Sequence, residues 1–288
     1  MKKLLLQLDS SRLASVFDRV VAYDAGADEV LSYGGIVPPD VRDLIYGLIF
    51  TRGPRDLAHS AVFIGGADIN VGDAILTAAQ EVFFGAFRVS LMLDSNGSNT
   101  TAVAAVVKII ETMRDMKGKR AVVTAGTGPV GTRAAGLLAK AGADVLITSR
   151  RGPDGERAAR AIIARFGGKV SCVEMREPSQ AAGVLEGANV LLNCGPAGVM
   201  MIPRAAWAKR PGLAVAIDLN AAPPLGIEGI DANDTSVVRD GVTCFGALGV
   251  GNFKMRVHKE CIAQLFTRND LILDAETIHD VATGLPKA

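Results

Sequence analysis

The sequence predicts a two-domain α/β protein in which each domain contains a parallel β-sheet. Predicted strands and helices alternate along all 288 residues, which is typical of helices layered on parallel sheets. A basic, glycine-containing segment, Lys117–Lys119, follows a long predicted helix and precedes a glycine-rich turn between a strand and a helix. We therefore assign residues 1–116 to the first domain and residues 117–253 to the second. The C-terminal helices, residues 254–288, are expected to pack back on the first domain.

Short apolar runs separated by amphipathic segments define the elements of the first domain. Two prolines, Pro38 and Pro39, mark the start of one helix, because proline fits the first turn of a helix. The predicted strands are Lys3–Leu8, Glu29–Tyr33, Ala61–Gly65 and Phe87–Leu93. The predicted helices are Ser15–Tyr23, Asp40–Leu48, Asn70–Phe84 and Ala102–Met116.

The second domain continues the same alternation. Its predicted strands are mostly apolar, as expected of central parallel strands with both faces covered. These strands are Ala121–Ala125, Asp144–Thr148, Val170–Glu174, Val190–Cys194, Val215–Leu219 and Val242–Ala247. Helices are predicted at Thr132–Lys140, Lys254–Leu265 and Ala275–Thr283.

Composition and charge restrict the classes of function. Apolar residues make up 49% of the chain and the formal net charge is +1, so neither nucleic acid nor a charged membrane surface is an expected partner. The apolar run after Lys3 stops at Asp9, too early for a signal peptide, and no run is long enough to cross a bilayer. The four cysteines are widely spaced without a C-x-x-C pair, which argues against zinc and disulfides. We therefore expect a cytoplasmic protein without a metal.

A glycine-rich turn joins the first strand and the first helix of the second domain. Its residues are Gly126, Thr127, Gly128, Pro129, Val130 and Gly131. In this context the first glycine permits the tight turn, the second lets a pyrophosphate approach the backbone, and the third lets helix and strand pack closely. The N–H groups at the helix start bind the anion. We therefore predict a Rossmann-type dinucleotide-binding domain; the alternative is a turn that only changes the chain direction.

Ser149, Arg150 and Arg151 follow the next strand, where an NAD site usually has Asp or Glu to bind the ribose 2′-hydroxyl. The guanidinium group presents a planar fork of donors that suits a phosphate dianion, and Ser149 adds a hydroxyl donor. These residues therefore predict NADP as the cofactor. The alternative is that the two arginines are solvated surface charges.

Loops at the carboxyl ends of the other strands provide further candidates, because ligands of open α/β sheets bind beyond these ends. Small or polar residues follow two of the strands, and a second glycine-rich turn precedes Lys254. The candidate cofactor contacts in these loops are Cys194, Gly195, Pro196, Asp218, Asn220, Leu248 and Gly249. The alternative is turn chemistry alone, which glycine and proline satisfy without a ligand.

Five blocks of sequence carry a family resemblance over nearly the whole chain. They are Phe17–Asp28, Asp94–Thr101, Ala125–Gly131, Pro223–Asp231 and Phe245–Lys254. Together they resemble the bacterial methylene-tetrahydromethanopterin dehydrogenases. The resemblance implies NADP on the second domain and reversible oxidation of a pterin one-carbon carrier from the methylene to the methenyl form. The second block is similar to the branch that also accepts methylene-tetrahydrofolate. A homo-oligomer is implied as well, with a trimer as one form.

The same resemblance assigns residues to the pterin. A carboxylate with neighbouring amides and hydroxyls suits the donor and acceptor edge of a pterin. The candidates in the second block are Asp94, Ser95, Asn96, Gly97, Ser98, Asn99 and Thr100, and Ser98 or Asn99 is expected to cap the helix that begins there. Asp18 and Asp24 belong to the first block, and Lys254 matches a family lysine that would orient the pterin or hydrogen-bond a bridge nitrogen. The alternative for the second block is a capped turn that binds no ligand. The alternative for Lys254 is an exposed lysine near the start of a helix.

The implied reaction requires no proton transfer. Loss of hydride from a carbon between two nitrogens leaves an amidinium cation whose charge the nitrogens share, so the main demand on the protein is positioning. An alcohol dehydrogenase would need a base, but the sequence has no Tyr-x-x-x-Lys pair, and its three histidines, His59, His258 and His279, are scattered. We interpret these histidines as surface or structural residues.

Two other functions fit the layout. One is a quinate or shikimate type NADP dehydrogenase, which depends on a Lys–Asp pair in its first domain; Asp43 and Lys108 do not obviously form such a pair. The other is a redox sensor that binds NADP without turnover.

Overall fold

The computed structural model describes residues 1–286, and its strands form two sheets. Lys287 and Ala288, which belong to the predicted C-terminal segment, lie outside the described residues. The strands are β1 (Leu4–Asp9), β2 (Glu29–Tyr33), β3 (Ser60–Gly65), β4 (Ser90–Leu93), β5 (Arg120–Thr124), β6 (Asp144–Ser149), β7 (Lys169–Glu174), β8 (Val190–Asn193), β9 (Val215–Asp218), β10 (Val237–Arg239), β11 (Val242–Phe245) and β12 (Ile272–Leu273).

The helices connect these strands. They are α1 (Val16–Asp24), α2 (Val41–Ile49), α3 (Ile69–Glu81), α4 (Ser98–Met113), α5 (Pro129–Lys140), α6 (Gly152–Phe166), α7 (Ala181–Val184), α8 (Arg204–Trp207), α9 (Ala247–Gln264) and α10 (Ala275–Thr283). The alternation of strands and helices in parallel sheets confirms the predicted α/β class.

The chain divides into two compact units. Unit 1 contains residues 1–100 and the segment from Met255 onward, and unit 2 contains Thr101–Lys254. The boundaries fall inside α4 and α9, so residues 101–116, which the sequence prediction placed in the first domain, belong to unit 2. Packing explains this difference, because α4 contacts another part of unit 2. The Lys108 ammonium nitrogen of α4 lies 4.6 Å from the centroid of the Phe253 ring.

Unit 1 is built on a five-stranded sheet of order β12-β4-β3-β1-β2. Every neighbouring pair in this sheet is parallel. Its apolar core includes Leu6, Leu8, Val62 and Ile64 from the central strands together with Ile45 of α2. Since parallel strands end at the same edge, the residues after β1, β3 and β4 share one side of this unit.

Unit 2 is built on a seven-stranded sheet of order β10-β11-β9-β8-β5-β6-β7, in which β10 alone runs antiparallel to its neighbour. The prediction that Val170–Glu174 forms a central strand was wrong, because β7 lies at the edge. Its polar residues Lys169, Ser171 and Glu174 are exposed, as edge strands allow.

The second glycine-rich segment is a helix start rather than a turn. Helix α9 begins at Ala247, seven residues before the predicted start at Lys254. The glycines serve close packing, because a Cβ on Gly246 or Gly249 would overlap the backbone of Asp231, Ala232 or Asp234. The sequence pattern identified the glycines but not this packing role.

The loop against which α9 begins is held by an ion pair. Arg239 donates two hydrogen bonds of 2.6 Å to the carboxylate of Asp234, and the amide of Asp231 donates a third at 2.9 Å. The hydrogen bonds from Arg239 lower the pKa of the Asp234 carboxyl group below its usual value.

This pair predicts a pH-dependent contribution to stability. A carboxyl group with a lowered pKa in the folded state stabilises the fold above its unfolded pKa of about 3.9 and loses that contribution as the pH falls toward the folded value. Asp234→Asn should therefore lower the free energy of unfolding at pH 7 by about 1 kcal/mol, a modest value because Arg239 is partly exposed. Urea titrations of both proteins should give a smaller difference below about pH 4 than at pH 7; a difference that does not change with pH would contradict the assignment.

Candidate functional site

A cavity of about 440 Å³ lies at the carboxyl ends of four parallel strands of unit 2. Its lining residues include Cys194 after β8, Ala125 after β5, Arg150 after β6 and Met175 after β7. These strands are consecutive in the sheet, so the lining follows the strand order. A dinucleotide crosses such an edge of an α/β sheet from one strand end to the next.

The predicted glycine-rich turn lies at the centre of this edge. A Cβ on Gly126 would lie 2.5 Å from the Cβ of Ile147, and one on Gly131 would lie 2.7 Å from the carbonyl oxygen of Ala125. Both glycines are therefore required for close approach of β5, β6 and α5. The left-handed backbone of the turn is at Ala125, with φ 50°, and not at a glycine.

The start of α5 presents the donors that an anion requires. Thr127, Gly128 and Pro129 line the cavity. The amides of Val130 and Gly131 lie in the first turn of α5, where no earlier helical carbonyl accepts them. Unpaired N–H groups and the positive end of the helix dipole are suited to a pyrophosphate.

Of the two predicted arginines, only Arg150 lines the cavity. Ser149 also lines it, but its hydroxyl donates to the Arg151 carbonyl at 2.8 Å. The Arg151 guanidinium is 3.1 Å from the Asp154 carboxylate, and its backbone precedes the first turn of α6. Arg150 therefore lies at the cavity, whereas the side chain of Arg151 is paired with a residue of α6.

The loop after β7 contributes cavity residues that are not among the sequence-predicted contacts, namely Met175, Arg176, Glu177 and Pro178. The guanidinium of Arg176 is 2.7 Å from Glu174, which also accepts a hydrogen bond from the Gly152 amide at 2.9 Å. The Gly152 hydrogen bond and, after it, the one from Arg176 lower the pKa of Glu174. The strand-end rule, applied to this third strand, would have selected Arg176.

The loop after β8 forms an apolar wall. Its cavity residues are Cys194, Pro196, Val199, Met200 and Met201. Gly195 is not among them; its amide donates to Asn193 Oδ1 at 3.2 Å. Burial and, after it, the negative charge of Asp218 raise the pKa of the Cys194 thiol. Cys194 therefore serves as a neutral wall group at physiological pH.

A buried polar network lies behind this wall. Asn193 Nδ2 donates to Asp218 Oδ1 at 2.8 Å, and Asn193 Oδ1 accepts a hydrogen bond from Thr124. Asn220 donates to the carbonyl oxygens of Pro196 and Pro224 at 3.3 and 3.2 Å. Asp218 and Asn220, which the sequence predicted as cofactor contacts, therefore shape the cavity loop and do not line the cavity.

Leu248 and Gly249 do not line this cavity either. Both lie in the first turn of α9. The Leu248 backbone N–H donates a hydrogen bond to the Ala232 carbonyl oxygen at 2.8 Å, and the Leu248 side chain is exposed. Lys254 lies on the same helix, near its middle, and is partly buried.

In unit 1, the predicted pterin block forms a tight turn with most of its polar groups buried. Asp94, 1% exposed, accepts hydrogen bonds from the amides of Asn99 and Thr100 at 2.9 and 3.0 Å, and from the Thr100 hydroxyl at 2.6 Å. The expected cap from Ser98 or Asn99 is thus supplied by Asp94. Ser98 instead donates to the Ser95 carbonyl at 2.7 Å.

Asn96 is the exposed side chain of this block. Its backbone is left-handed, with φ 57°, and its backbone N–H donates a hydrogen bond to the Gly66 carbonyl oxygen at 2.6 Å. Gly97 beside it is half-buried, and Ser95 donates to the Gly65 carbonyl at 3.2 Å. The turn therefore presents Asn96 at the carboxyl edge of the unit 1 sheet.

The two aspartates of α1 are placed differently. Asp18 Oδ2 and Asp9 Oδ2 both approach Gly65, since a Cβ there would lie 3.7 and 3.4 Å from them. Asp9, which is not among the sequence-predicted site residues, is buried and accepts hydrogen bonds from the backbone amides of Ser11 and Ser15. Asp24 forms an ion pair of 2.8 Å with Lys259 at the other end of α1.

Residues 1–286 contain no group of three or more His, Cys, Asp or Glu side chains that could hold a metal ion. No helix within that range is long and apolar enough to span a membrane. His258 is buried and stacks on Phe63 at 5.5 Å between ring centroids, which fits its interpretation as a structural residue.

Known proteins resemble this chain over its whole length. The bifunctional protein MdtA of Methylorubrum extorquens is 43% identical, and the match covers 98% of each chain. An NAD(P)-dependent methylenetetrahydromethanopterin dehydrogenase of the same organism is 32% identical over 99% of each chain. The chain belongs to the methylene-tetrahydromethanopterin dehydrogenase family. The predicted family and enzyme class, an oxidoreductase, are confirmed.

Within the methylene-tetrahydromethanopterin dehydrogenase family, a model of the N-terminal region matches residues 16–96. This range begins at α1 and ends at the exposed Asn96, so it includes Asp18, Asp24 and Asp94. Shikimate 5-dehydrogenase from Listeria monocytogenes, solved with shikimate and NAD, has a TM-score of 0.57 at 14% identity, covering 97% of this chain and 96% of its own. At that identity the likeness supports the two-domain fold alone.

Proposed function

We propose that this chain catalyses the reversible, NADP-dependent oxidation of methylene-tetrahydromethanopterin to its methenyl form and also accepts methylene-tetrahydrofolate. The observation that carries the proposal is the row of strand ends in unit 2, where the glycine-rich turn is followed by Arg150 at the next strand. Family membership supplies the substrate class, since the 32% identical relative is named a dehydrogenase of this pterin.

The chemistry of the cavity suits NADP. Its volume of about 440 Å³ lies in the range of small-molecule sites. Thr127 and Gly128 would hold the pyrophosphate, and Arg150 and Arg176 would hold the ribose 2′-phosphate, since guanidinium groups bind phosphate in a bidentate manner. When bound, NADP would accept the hydride from the methylene carbon.

The lining also fits a transfer without a base. Among the described residues that line the cavity, none is His, Tyr or Lys, and the carboxylate of the lining, Glu177, follows β7 on the side proposed for the 2′-phosphate. The wall formed by Pro196, Val199 and Met201 is apolar, so it would exclude water from the nicotinamide ring. Positioning and exclusion of water suffice when a hydride moves and no proton does.

We assign the pterin to the carboxyl edge of the unit 1 sheet. Asn96 is exposed there in a left-handed conformation that the hydrogen bonds of Asp94 and Asn99 stabilise. An amide side chain offers both a donor and an acceptor to the pterin edge. Asp18, on the same side of the sheet, is the second candidate; Asp94, Ser95, Ser98, Asn99 and Thr100 would support the turn.

A spectrophotometric assay tests the proposal. The purified protein is mixed with NADP and methylene-tetrahydromethanopterin, and formation of reduced nicotinamide is followed by absorbance. We expect turnover with this pterin and with methylene-tetrahydrofolate. Turnover with quinate or shikimate instead would support the alternative dehydrogenase, and binding of NADP without turnover of any substrate would support a redox sensor.

Lys254→Met should reduce kcat/KM for the pterin about tenfold or more, because a charge-assisted hydrogen bond contributes about 1.5–3 kcal/mol. NADP affinity should not change. Lys169→Met is the matched control, since Lys169 is exposed at the amino end of β7. Unchanged turnover and unchanged pterin affinity in Lys254→Met would remove this lysine from the site.

The predicted homo-oligomer, with a trimer as one form, and the cytoplasmic location stay predictions. Val16, Val20 and Tyr23 of α1 are 74%, 52% and 41% exposed along one stripe of the helix, which favours an apolar contact with a second copy. All four cysteines are free, which fits a reducing compartment. Light scattering during gel filtration would measure the number of subunits.

A further inference from the structure

Asp218 places a buried carboxylate at the end of β9, behind the cavity wall. It is 1% exposed. Oδ1 accepts hydrogen bonds from Asn193 Nδ2 at 2.8 Å and the Asn220 amide at 3.1 Å, and Oδ2 accepts one from the Ile227 amide at 2.8 Å. The carboxylate only accepts hydrogen bonds in this arrangement, as an ionised carboxylate does.

All three donors are neutral amide groups. They stabilise the carboxylate in the interior but do not cancel its charge. The network is therefore more than a loop support, because it keeps a negative charge where solvent cannot screen it. Cys194, which lines the cavity, lies close enough to feel this charge: burial and, after it, the charge of Asp218 raise the pKa of the Cys194 thiol.

The strand order indicates which half of the cofactor would lie near this charge. Arg150 and Arg176 follow β6 and β7, and the glycine-rich turn follows β5. With the 2′-phosphate at the arginines and the pyrophosphate at the turn, the nicotinamide half extends toward β8, the neighbour of β9. The wall on that side consists of Cys194, Pro196 and the apolar residues Val199, Met200 and Met201, so the local dielectric constant is low.

We propose that the carboxylate of Asp218 makes the site discriminate between the two redox forms of the nicotinamide and favours the oxidised form. The oxidised ring carries a positive charge, the reduced ring is neutral, and the rest of the cofactor is the same. A fixed negative charge behind the wall therefore stabilises bound NADP⁺ relative to bound NADPH. The inference rests on the proposed function, because it requires the nicotinamide cofactor in this cavity.

The discrimination follows from the charge balance of the reaction. Hydride transfer breaks a C–H bond of the methylene carbon and forms one on the nicotinamide, so the positive charge leaves the nicotinamide and appears on the pterin amidinium. Asp218 would attract the cofactor before transfer and hold it less tightly afterwards. The expected result is tight binding of NADP⁺ and faster release of NADPH.

Calorimetric titration with NADP⁺ and with NADPH tests the inference without any turnover. In Asp218→Asn, which removes the charge and keeps the size, the preference for NADP⁺ over NADPH should fall about tenfold relative to the unmodified protein. Asn220→Ala is the matched control, because it loosens the same loop through Pro196 and Pro224 without changing any charge. Asn220→Ala should weaken the binding of NADP⁺ and of NADPH by the same factor.

A second variant covers the case in which Asp218→Asn does not fold. Val199 lines the cavity and is 45% exposed, so Val199→Lys should fold and should add a positive charge to the same wall. This charge should also lower the preference for NADP⁺, whereas Val199→Met should not. If Asp218→Asn weakens the binding of NADP⁺ and of NADPH equally, or if Val199→Lys leaves the preference for NADP⁺ unchanged, the inference is overturned and the proposed function stays intact. If the unmodified protein binds neither form, both proposals fail.

Discussion

Replacing Arg150 with alanine should weaken NADP binding about 10- to 100-fold and leave NAD binding within about twofold, since the lost charge-assisted hydrogen bonds involve the 2′-phosphate alone. Arg150 lines the cavity and forms no hydrogen bond or ion pair with another described residue, so its guanidinium is available to a ligand. Dissociation constants for both dinucleotides, measured by calorimetry at one salt concentration, check the result.

Arg151→Ala is the matched control for this experiment. Arg151 is adjacent in sequence and has the same charge, but its guanidinium forms an ion pair with Asp154 of α6. The control should change the affinity for NADP by less than about threefold, as expected for an exposed pair. Equal losses of NADP and NAD affinity in Arg150→Ala, or a larger loss of NADP affinity in Arg151→Ala, would contradict the assignment of the phosphate site.

Gly226→Ala should lower the free energy of unfolding by about 3 kcal/mol or more, among the larger effects expected for a single methyl group. The added Cβ would overlap Asn193 Nδ2 and lie 2.8 Å from Asp218 Oδ1. Neither side chain can move without breaking the buried network. The Gly226 carbonyl oxygen also accepts hydrogen bonds from the backbone amides of Met201 and Ile202 at 2.9 and 3.0 Å. Because Met201 lines the cavity, a shift of Gly226 would move the cavity wall as well.

Urea denaturation of the purified variant measures this loss of stability, and titration with NADP measures its effect on the cavity. Gly183→Ala is the matched control, because it lies in α7 with no atom within 4 Å of an added Cβ. Alanine there should be neutral or stabilising by up to about 1 kcal/mol. Comparable losses in the two variants would show that the overlap at Gly226 relaxes at little cost.

Local patterns predicted most of the fold. The strand Glu29–Tyr33 and the helix Ala275–Thr283 have the predicted bounds, and most other predicted strands and helices differ by a few residues at their ends. This agreement has a physical reason, since apolar periodicity and turn residues act within a few positions of the chain. The glycine-rich turn was predicted for the same reason, because its strand and helix are its immediate neighbours.

Non-local packing accounts for several differences between the predicted and the observed structure. The edge position of β7 depends on which strands pair, and the short strand β12 forms only through pairing with β4. The sequence predicts a turn at the glycines before Lys254, because the loop that requires them, Asp231–Asp234, is not adjacent in the chain. Strand order and tertiary contacts of this kind leave no periodic signal.

The candidate site was predictable in part. Arg150 and the glycine-rich turn follow from the strand-end rule, and Arg176 follows from the same rule applied once more. The ion pair of Arg151 with Asp154 has helical i,i+3 spacing, so it could have been anticipated. The roles of Asp94 and Asp218 could not, because their partners are backbone amides whose positions depend on the folded turns.

The two ends of the cavity differ in how freely they could change during evolution. At the proposed adenosine end, Arg150 and Arg176 are exposed side chains on separate loops, so a substitution of either should leave the buried core intact and cofactor preference should drift easily. At the other end, Thr124, Asn193 and Asp218 share hydrogen bonds, and Asn193 and Asp218 pack against Gly226. A viable change at any of these positions would require compensating changes at the others, so the nicotinamide end should be inherited as one block.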